Sequence, residues 1–583
     1  MFAGIALFVW WQRDNLKRAE SKIPLTPSRV HDLAVAQVPQ AKFTDITAEA
    51  GIKFTHVNGA TGEKLLPETM GGGVAFFDFD NDGAADLLFV NSTDWPWHTN
   101  AAAGTRRTMA LYKNDGKGRF TDVTAGSGLD VSIYGMGVAV GDFDNDGLVD
   151  VFITGVGENR LFHNAGNGRF EDVTTKAGLT NEPMRWSTSA AFVDYDNDGR
   201  LDLFVCNYVK WSREIDRRVN YTLPGIGRAY GPPLNFEGSF PLLYHNEGNG
   251  RFRDVSLPAG MQITNSVNGQ PIAKSLGVAP VDLNNDGWID FVVANDQVQN
   301  LVFSNRHDGT FAEVGAPSGI AFDPYGLARG AMGIDSARFR NDNALGIAIG
   351  NFANEPNALY VAQNDSLLFA DEAIHEGFGA ASRQLLKFGL FFFDYDLDGR
   401  LDVLTANGHI EEEISKIHKG QSYRQPAQLF WNRGLVKGSG FVPVPPEKAG
   451  DDLFKPIVGR GSAYADIDLD GDPDVVLTQI NGPPLLLRND QQLGHHWLRL
   501  KLIGTQSNRD AIGAWVKVRV EGRTLAQQVM PTKGYLSQSE LPLIFGLGKA
   551  TRVDAIEVTW PGGAIQKVQP GKVDVTQVIR ETR

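Results

Sequence analysis

Residues 142–150 read DFDNDGLVD, and five further segments repeat the arrangement: DFDNDGAAD from Asp78, DYDNDGRLD from Asp194, DLNNDGWID from Asp282, DYDLDGRLD from Asp394 and DIDLDGDPD from Asp466. Each is entered by an apolar run such as GVAFFD and left by another such as ADLLFVN, so each acidic loop joins two strands. A seventh copy, RFRNDNALG from Arg338, keeps the apolar flanks but sets Arg338 and Arg340 where carboxylates stand elsewhere.

A second pattern alternates with the first. It is an aromatic strand: FTDIT at Phe43, FTDVT at Phe120, FEDVT at Phe170, FRDVS at Phe252, FAEVG at Phe311, FADEA at Phe369 and FVPVP at Phe441. A short strand and turn precede most copies, as in LYKNDGKGRF from Leu111 and LFHNAGNGRF from Leu161, where Asn and Gly supply the positive φ of a tight hairpin. Each unit therefore holds four short strands, and four-stranded sheets repeated radially make a propeller. The chain opens on an unpartnered fourth strand at Phe43, while its last unit stops after LLLRND at Asp490. The expected fold is all-β: a seven-bladed β-propeller over 43–493 whose N-terminal strand closes the last blade, then a small β-sandwich-like domain over 494–583. The latter rests on the alternation in WLRLKL, AWVKVRV and AIEVTW.

The loop D-x-D-x-D-G-x-x-D turns side-chain oxygens at positions one, three, five and nine, and the carbonyl of position seven, toward one point. The candidate metal ligands are Asp78, Asp80, Asp82, Ala84 and Asp86; Asp142, Asp144, Asp146, Leu148 and Asp150; Asp194, Asp196, Asp198, Arg200 and Asp202; Asp282, Asn284, Asp286, Trp288 and Asp290; Asp394, Asp396, Asp398, Arg400 and Asp402; and Asp466, Asp468, Asp470, Asp472 and Asp474. Hard oxygen donors in a flexible loop suit Ca²⁺ better than Mg²⁺, which demands a stricter octahedron. Surface turns alone would explain one such loop. Six with matched carboxylates would repel themselves without a counter-ion. The formal charge of −14 agrees, because six divalent cations would bring it to −2. About six Ca²⁺ are expected, with the Arg338 blade metal-free and its arginines paired with neighbouring acids.

The loops and their aromatic companions resemble the FG-GAP/VCBS repeats of integrin α-subunit propellers, and more closely those of bacterial proteins related to cartilage acidic protein. HHWLRLKLIGTQSNRDAIGAWVKV after Gly494, GYLSQSE at Gly534, FGLGKA at Phe545 and VTWPGG at Val558 resemble an ASPIC/UnbV domain. The resemblance implies export and Ca²⁺ binding, and no particular activity.

Residues 1–42 read as a linker behind the apolar stretch Met1–Trp11, which is shorter than the ~20 residues of a membrane-spanning helix. It is taken as the end of a signal or anchor segment, so the expected location is extracytoplasmic: periplasmic, cell-surface or secreted, with a possible membrane anchor at residues 1–11. One cysteine, Cys206, excludes an internal disulfide framework and is read as a buried apolar residue. His495 and His496 face opposite sides of a strand and cannot chelate together. Two long connections, Asn207 to Pro241 with Trp211, Arg213, Arg217, Arg218, Tyr221 and Tyr230, and Asn407 to Gln428 with Glu411, Glu412, Glu413 and Tyr423, lie on the face opposite the acidic loops. That face is expected to bind a protein or glycan partner rather than nucleic acid. No nucleophile elbow, phosphate loop or zincin helix is present, so a binding scaffold is favoured over an enzyme. The alternatives are a secreted enzyme using funnel residues such as His56, Glu68, Arg185, His375 or His409, and an accessory subunit of an envelope complex.

Overall fold

Short apolar runs between Asp-Gly turns become the strands of seven four-stranded sheets in a computed structural model, which describes residues 35, 37–98, 107–364, 367–434 and 440–582. The expected signal or anchor segment lies outside the described residues. Pro39–Arg583 form one unit. Among the described residues, blade 2 is typical: Gly135–Gly141, Asp150–Gly155, Arg160–Asn164 and Phe170–Asp172 follow one another as an antiparallel meander. In blade 7 the strands Gly459–Ala465, Asp474–Gln479 and Leu485–Asn489 are completed by Phe43–Asp45, with Phe43 opposite Asn489 and Asp45 opposite Leu487. The expected closure is present, and it leaves the last blade without an open edge.

The first strand of each blade lines the axis, and in blade 2 every residue of it is buried. Small residues make this possible. In blade 5, a Cβ on Gly333 would stand 1.9 Å from the carbonyl oxygen of Phe388 on the next inner strand. Glycines 73, 137, 277, 389 and 461 meet neighbouring backbone in the same way, and Ser189 takes the place in blade 3.

The two sequence patterns meet at the joints between blades. The aromatic residue at loop position two packs on the first phenylalanine of the next blade's fourth strand: Phe79 on Phe170 at 6.3 Å, Phe143 on Phe252 at 5.6 Å, Tyr195 on Phe311 at 5.8 Å and Tyr395 on Phe43 at 6.3 Å. The carbonyl of that position-two residue accepts a hydrogen bond from the asparagine that ends the next blade's third strand. Examples are Asn164 to Phe79 at 2.9 Å, Asn246 to Phe143 at 2.8 Å and Asn489 to Tyr395 at 2.8 Å. These asparagines are buried strand residues; the positive φ of the turns belongs to residues further on, such as Gly116, Asn167 and Asn249.

Beyond the propeller, a three-stranded sheet (Leu543–Gly548, His496–Ile503, Thr576–Arg580) faces a four-stranded one (Arg523–Gln528, Trp515–Val520, Ala555–Thr559, Ile565–Val568). Leu498, Leu500, Val516, Val518, Phe545 and Trp560 share one apolar core between them. This domain lies over the acidic loops: Arg509 N donates to Asn145 at 2.9 Å, Arg523 to the Asp398 carbonyl at 2.9 Å, and Gly548 N to the Leu397 carbonyl at 2.9 Å.

From it a hairpin, Thr532–Lys533 and Ser537–Gln538, runs into the axis of the ring and extends the sheet of blade 1. Residues 533–540 touch the inner strands of all seven blades. Gln538 pairs with Ala75 in blade 1, Val138 N donates to the Leu536 carbonyl in blade 2, and Leu536 N donates to Ser189 in blade 3. Gly534 faces Gly277 of blade 4, exchanges two backbone hydrogen bonds with Ile334 of blade 5 and packs on Leu390 of blade 6. Tyr464 of blade 7 accepts from Glu540 N at 3.2 Å. The tip needs glycine: Gly534 has φ +70°, and a Cβ there would lie 2.6 Å from the Leu390 carbonyl oxygen. Buried ion pairs hold the base, Lys533 with Asp335 at 3.1 Å and Arg499 with Glu540 at 2.5 Å.

Candidate functional site: acidic loops and the opposite face

Each acidic loop is folded by its own carboxylates. In blade 2 the Asp142 carboxylate accepts from Asp146 N at 3.0 Å and Gly147 N at 2.7 Å, which closes the turn around Gly147. Asp150 accepts from Phe143 N at 3.0 Å and from Asn164 N at 2.7 Å, which ties the loop to the third strand. The same pairs recur at Asp194 and Asp202, Asp282 and Asp290, Asp394 and Asp402, and Asp466 and Asp474. Position four adopts positive φ in all six loops and in the Arg338 copy. Where it is asparagine its amide reaches the next loop, as Asn81 to the Gly147 carbonyl at 2.7 Å and Asn145 to the Gly199 carbonyl at 2.9 Å.

These bonds leave carboxylate oxygens over. One oxygen on each of Asp78, Asp80, Asp196 and Asp468 is buried with no hydrogen-bond partner. Ligand atoms of Asp78, Asp80 and Asp86 lie within 4.8 Å of one another, as do those of Asp142, Asp144 and Asp150. Several acidic clusters able to hold a metal ion are thus present, and their donors are the hard oxygens that suit a divalent cation. Burial, then the neighbouring Asp510, pushes the Asp142 carboxyl up to about 8. Burial, then Asp202, does the same for Asp194, and burial, then Glu540, for Asp466. Asp86 is raised to about 8 mainly by burial. Protein cations partly offset the crowding. Lys113 pairs with both Asp80 and Asp82, and Lys501 of the C-terminal domain comes within 3.4 Å of Asp78. His163 Nδ1 lies 3.3 Å from Asp150, and His245 Nδ1 3.2 Å from Asp202.

The Arg338 copy departs from expectation in one respect. Arg340 pairs with Glu372 and Glu376, as acids nearby would require. Among the described residues Arg338 forms no such pair. It donates to Asn285 of the preceding loop at 2.5 Å and lies over the Trp515 ring at 4.4 Å, so the C-terminal domain covers it. His495 and His496 diverge, the first toward the Asp396 carbonyl and the second toward Asp574. Cys206 is fully buried.

The opposite face carries the long connections. The first, after Asn207, includes a short helix, Arg213–Val219, capped by Ser212. Asp216 on this helix accepts from Leu66 N at 2.8 Å and Trp211 Nε1 at 2.9 Å, which fastens it to the loop before blade 1. Trp95 stacks between Tyr134 at 3.8 Å and Trp211 at 5.2 Å, while its indole N–H donates to Glu68 at 3.1 Å. Burial raises Glu68 to about 7.

Beside this cluster opens a cavity of about 240 Å³ whose lining includes Tyr208, Tyr230, Phe352, Phe388, Asp296, His409 and Glu411. Its base rests on the hairpin tip: Tyr535 packs against Phe388 with ring centroids 5.0 Å apart and donates to the Met70 carbonyl at 2.8 Å. Of the residues considered for catalysis, His409 lines this cavity, with Nδ1 accepting from Glu411 N and burial lowering it to about 4. His56 is buried against Gly71, Arg185 pairs with Glu182, and His375 is exposed. Of the five, only His409 is among the described residues that line the cavity. The hairpin, the joint asparagines and Asp296 were missed by sequence reasoning. The asparagines left a signal in recurring LYKN, LFHN and LYHN, and the hairpin left GYLSQSE, a motif that did not disclose its place in the fold.

Fold and loops together define a propeller of FG-GAP-like repeats, and the FG-GAP-like repeat family matches residues 78–153, 142–205 and 282–349, while the ASPIC and UnbV family matches 504–583. The chain is homologous to cartilage acidic protein 1. It is 26% identical to that protein from Homo sapiens over 381 residues, covering 64% of this chain and 50% of the relative. To the Xenopus tropicalis protein it is 27% identical over 309 residues, covering 51% and 44%. The chain spans about half the length of the curated relatives it matches. Among solved structures, YCF48 bound to D1 peptide aligns with a TM-score of 0.37 and 8% identity, over 73% of this chain and 94% of that one. An Agrocybe aegerita lectin recognising non-reducing terminal N-acetylglucosamine aligns with a TM-score of 0.36 and 14% identity, over 65% and 82%.

Proposed function

We propose that this protein is an extracellular, calcium-pinned binding scaffold whose partner surface is the long-loop face. The observation that carries the proposal is the position of the C-terminal domain, which lies over the acidic loops and fills the ring axis with its hairpin. The acidic face is thereby committed to internal contacts. The face left with long insertions and stacked aromatics is the opposite one. Homology to cartilage acidic protein 1 supports an extracellular setting, where calcium is plentiful. Bound Ca²⁺ would supply charge compensation to carboxylates that otherwise repel, held by the aspartates at positions one, three, five and nine. The partner is a protein or a glycan, met by the aromatic and arginine side chains of the 207–241 connection.

Metal analysis with thermal unfolding tests the first half. About six Ca²⁺ per chain and a large fall in midpoint on chelation are expected, whereas near-zero calcium with an unchanged midpoint overturns it. For the second half, immobilised protein is screened against glycan and extracellular-protein panels. A hit must lose affinity in Trp97→Ala or Arg213→Ala and keep it in Lys567→Ala on the C-terminal domain. A hit indifferent to the long-loop variants refutes the choice of face.

A further inference from the structure

The 240 Å³ cavity on the long-loop face has a composition that selects its ligand. Its wall is aromatic, with Tyr208, Tyr230, Phe352 and Phe388; among the described residues no lysine or arginine lines it, Arg460 standing behind the Phe388 ring at 4.0 Å and Lys274 donating to the Pro233 carbonyl at 2.6 Å. Two buried carboxylates do line it. Asp296 accepts the Tyr208 hydroxyl at 2.6 Å with one oxygen, and its other oxygen has no hydrogen-bond partner. Among the described residues Asp296 forms no ion pair. Glu411 gives one oxygen to Lys64 at 3.0 Å, and its second is likewise buried and unpartnered. Both residues are at least nine-tenths buried.

A carboxylate oxygen removed from water without a donor is costly, and a ligand that brings an N–H recovers that cost. Aromatic faces add to the attraction if the donor is cationic. The rim of the cavity already displays this chemistry: Lys64 Nζ sits on Glu411 while lying 4.9 Å over the ring of Tyr230. A neutral sugar would meet the carboxylates but gain nothing from the rings' attraction for positive charge.

From this geometry we infer that the cavity binds a primary ammonium group on an apolar stem, an N–H donating to the free oxygen of Asp296, the carboxylate without an ion-pair partner, and the stem lying among the rings. The inference rests on the long-loop face being the binding face and names the chemistry of its ligand. The group can come from a free amine or from a lysine side chain, and the two are separated by the probes used.

The experiment is isothermal titration of the full, calcium-loaded chain with n-pentylammonium, Nα-acetyl-lysinamide, 1-pentanol and N-acetylglucosamine. Either ammonium probe should bind at least about tenfold tighter than 1-pentanol, the difference of one charge-assisted hydrogen bond. Asp296→Asn, which keeps an acceptor for Tyr208, should weaken ammonium binding by about tenfold with 1-pentanol binding unchanged, and Glu411→Gln, whose charge Lys64 already offsets, should weaken it far less. Preference for the lysine derivative points to a protein side chain, and preference for n-pentylammonium to a free amine; both support the inference. Equal affinity for alcohol and ammonium, or binding of N-acetylglucosamine alone, overturns it. The comparison of ammonium with alcohol on the parent protein needs no variant to fold. Because calcium content and melting are read separately, failure of the ammonium site is distinguishable from failure of the scaffold reading.

Discussion

Truncating Tyr535 to alanine removes the largest side chain of the hairpin tip from the ring axis while leaving every blade residue unchanged. The side chain is fully buried, packs on Phe388 at 5.0 Å and bonds the Met70 carbonyl at 2.8 Å. Removing a large buried aromatic costs about 3–5 kcal/mol. Tyr535→Phe keeps the ring and loses only the hydrogen bond, about 1–2 kcal/mol with the Met70 carbonyl left without its donor. Against a typical stability of about 5–15 kcal/mol the alanine variant is severe and the phenylalanine variant mild. Urea unfolding in saturating calcium, followed by tryptophan fluorescence, reads the effect locally, because Trp95, Trp186 and Trp211 share the buried cluster with Tyr535. Tyr535→Ala should lower the midpoint far more than Tyr535→Phe. If Tyr535→Ala unfolds within about 1 kcal/mol of the parent, the hairpin is an ornament and the account of the ring as wrapped around it is wrong.

The metal-free protein should lose stability as pH rises. Asp142, Asp194 and Asp466 are raised in the fold from the ordinary 3.8 to about 8, so their contribution is fully present below 3.8 and is lost as pH climbs through 8. A melting series in chelator should therefore fall from pH 5 to pH 8, and the calcium-loaded series should not; parallel curves would remove the loops from the explanation. Asn246→Leu deletes an amide bond across a blade joint to Phe143 at 2.8 Å and one within its own blade to Leu201 at 2.9 Å, with an expected cost of about 2–4 kcal/mol by urea unfolding. Gly333→Ala places a methyl against the Phe388 carbonyl and should cost about 3 kcal/mol or abolish soluble expression, measured by the same unfolding or by yield.

Blade number, strand order and closure were legible because they rest on local alternation and on counting. FTD at Phe43 has no partner nearby and LLLRND at Leu485 needs one, which is enough to join them across the chain. The acidic loops were legible for the same reason: their geometry is set within nine residues. The hairpin was not. GYLSQSE carries a glycine and small polar residues, a pattern suited equally to a surface turn, and only assembly of seven inner strands around it reveals why Leu536 and Gln538 are buried. Arg338 misled for a related reason. Its partner Trp515 lies in another domain, and an arginine at a former carboxylate position suggests acids first. Asp296 stood beyond any motif, an ordinary acid after a strand until Tyr208 from blade 3 is brought to its side.

Seven inner strands touching one two-stranded hairpin also set a gauge on the molecule's history. Residues 533–540 find a partner on each of the seven inner strands, so a blade gained or lost would change the set of strands that Gly534, Leu536 and Gln538 meet. Repeat proteins commonly drift in copy number by duplication or loss of a unit, because each unit contacts only its neighbours. Here every unit also answers to a common mandrel supplied by a different domain. Wear on a single blade, as at Arg338, leaves those axial contacts in place; a change in the number of blades would alter every one of them at once.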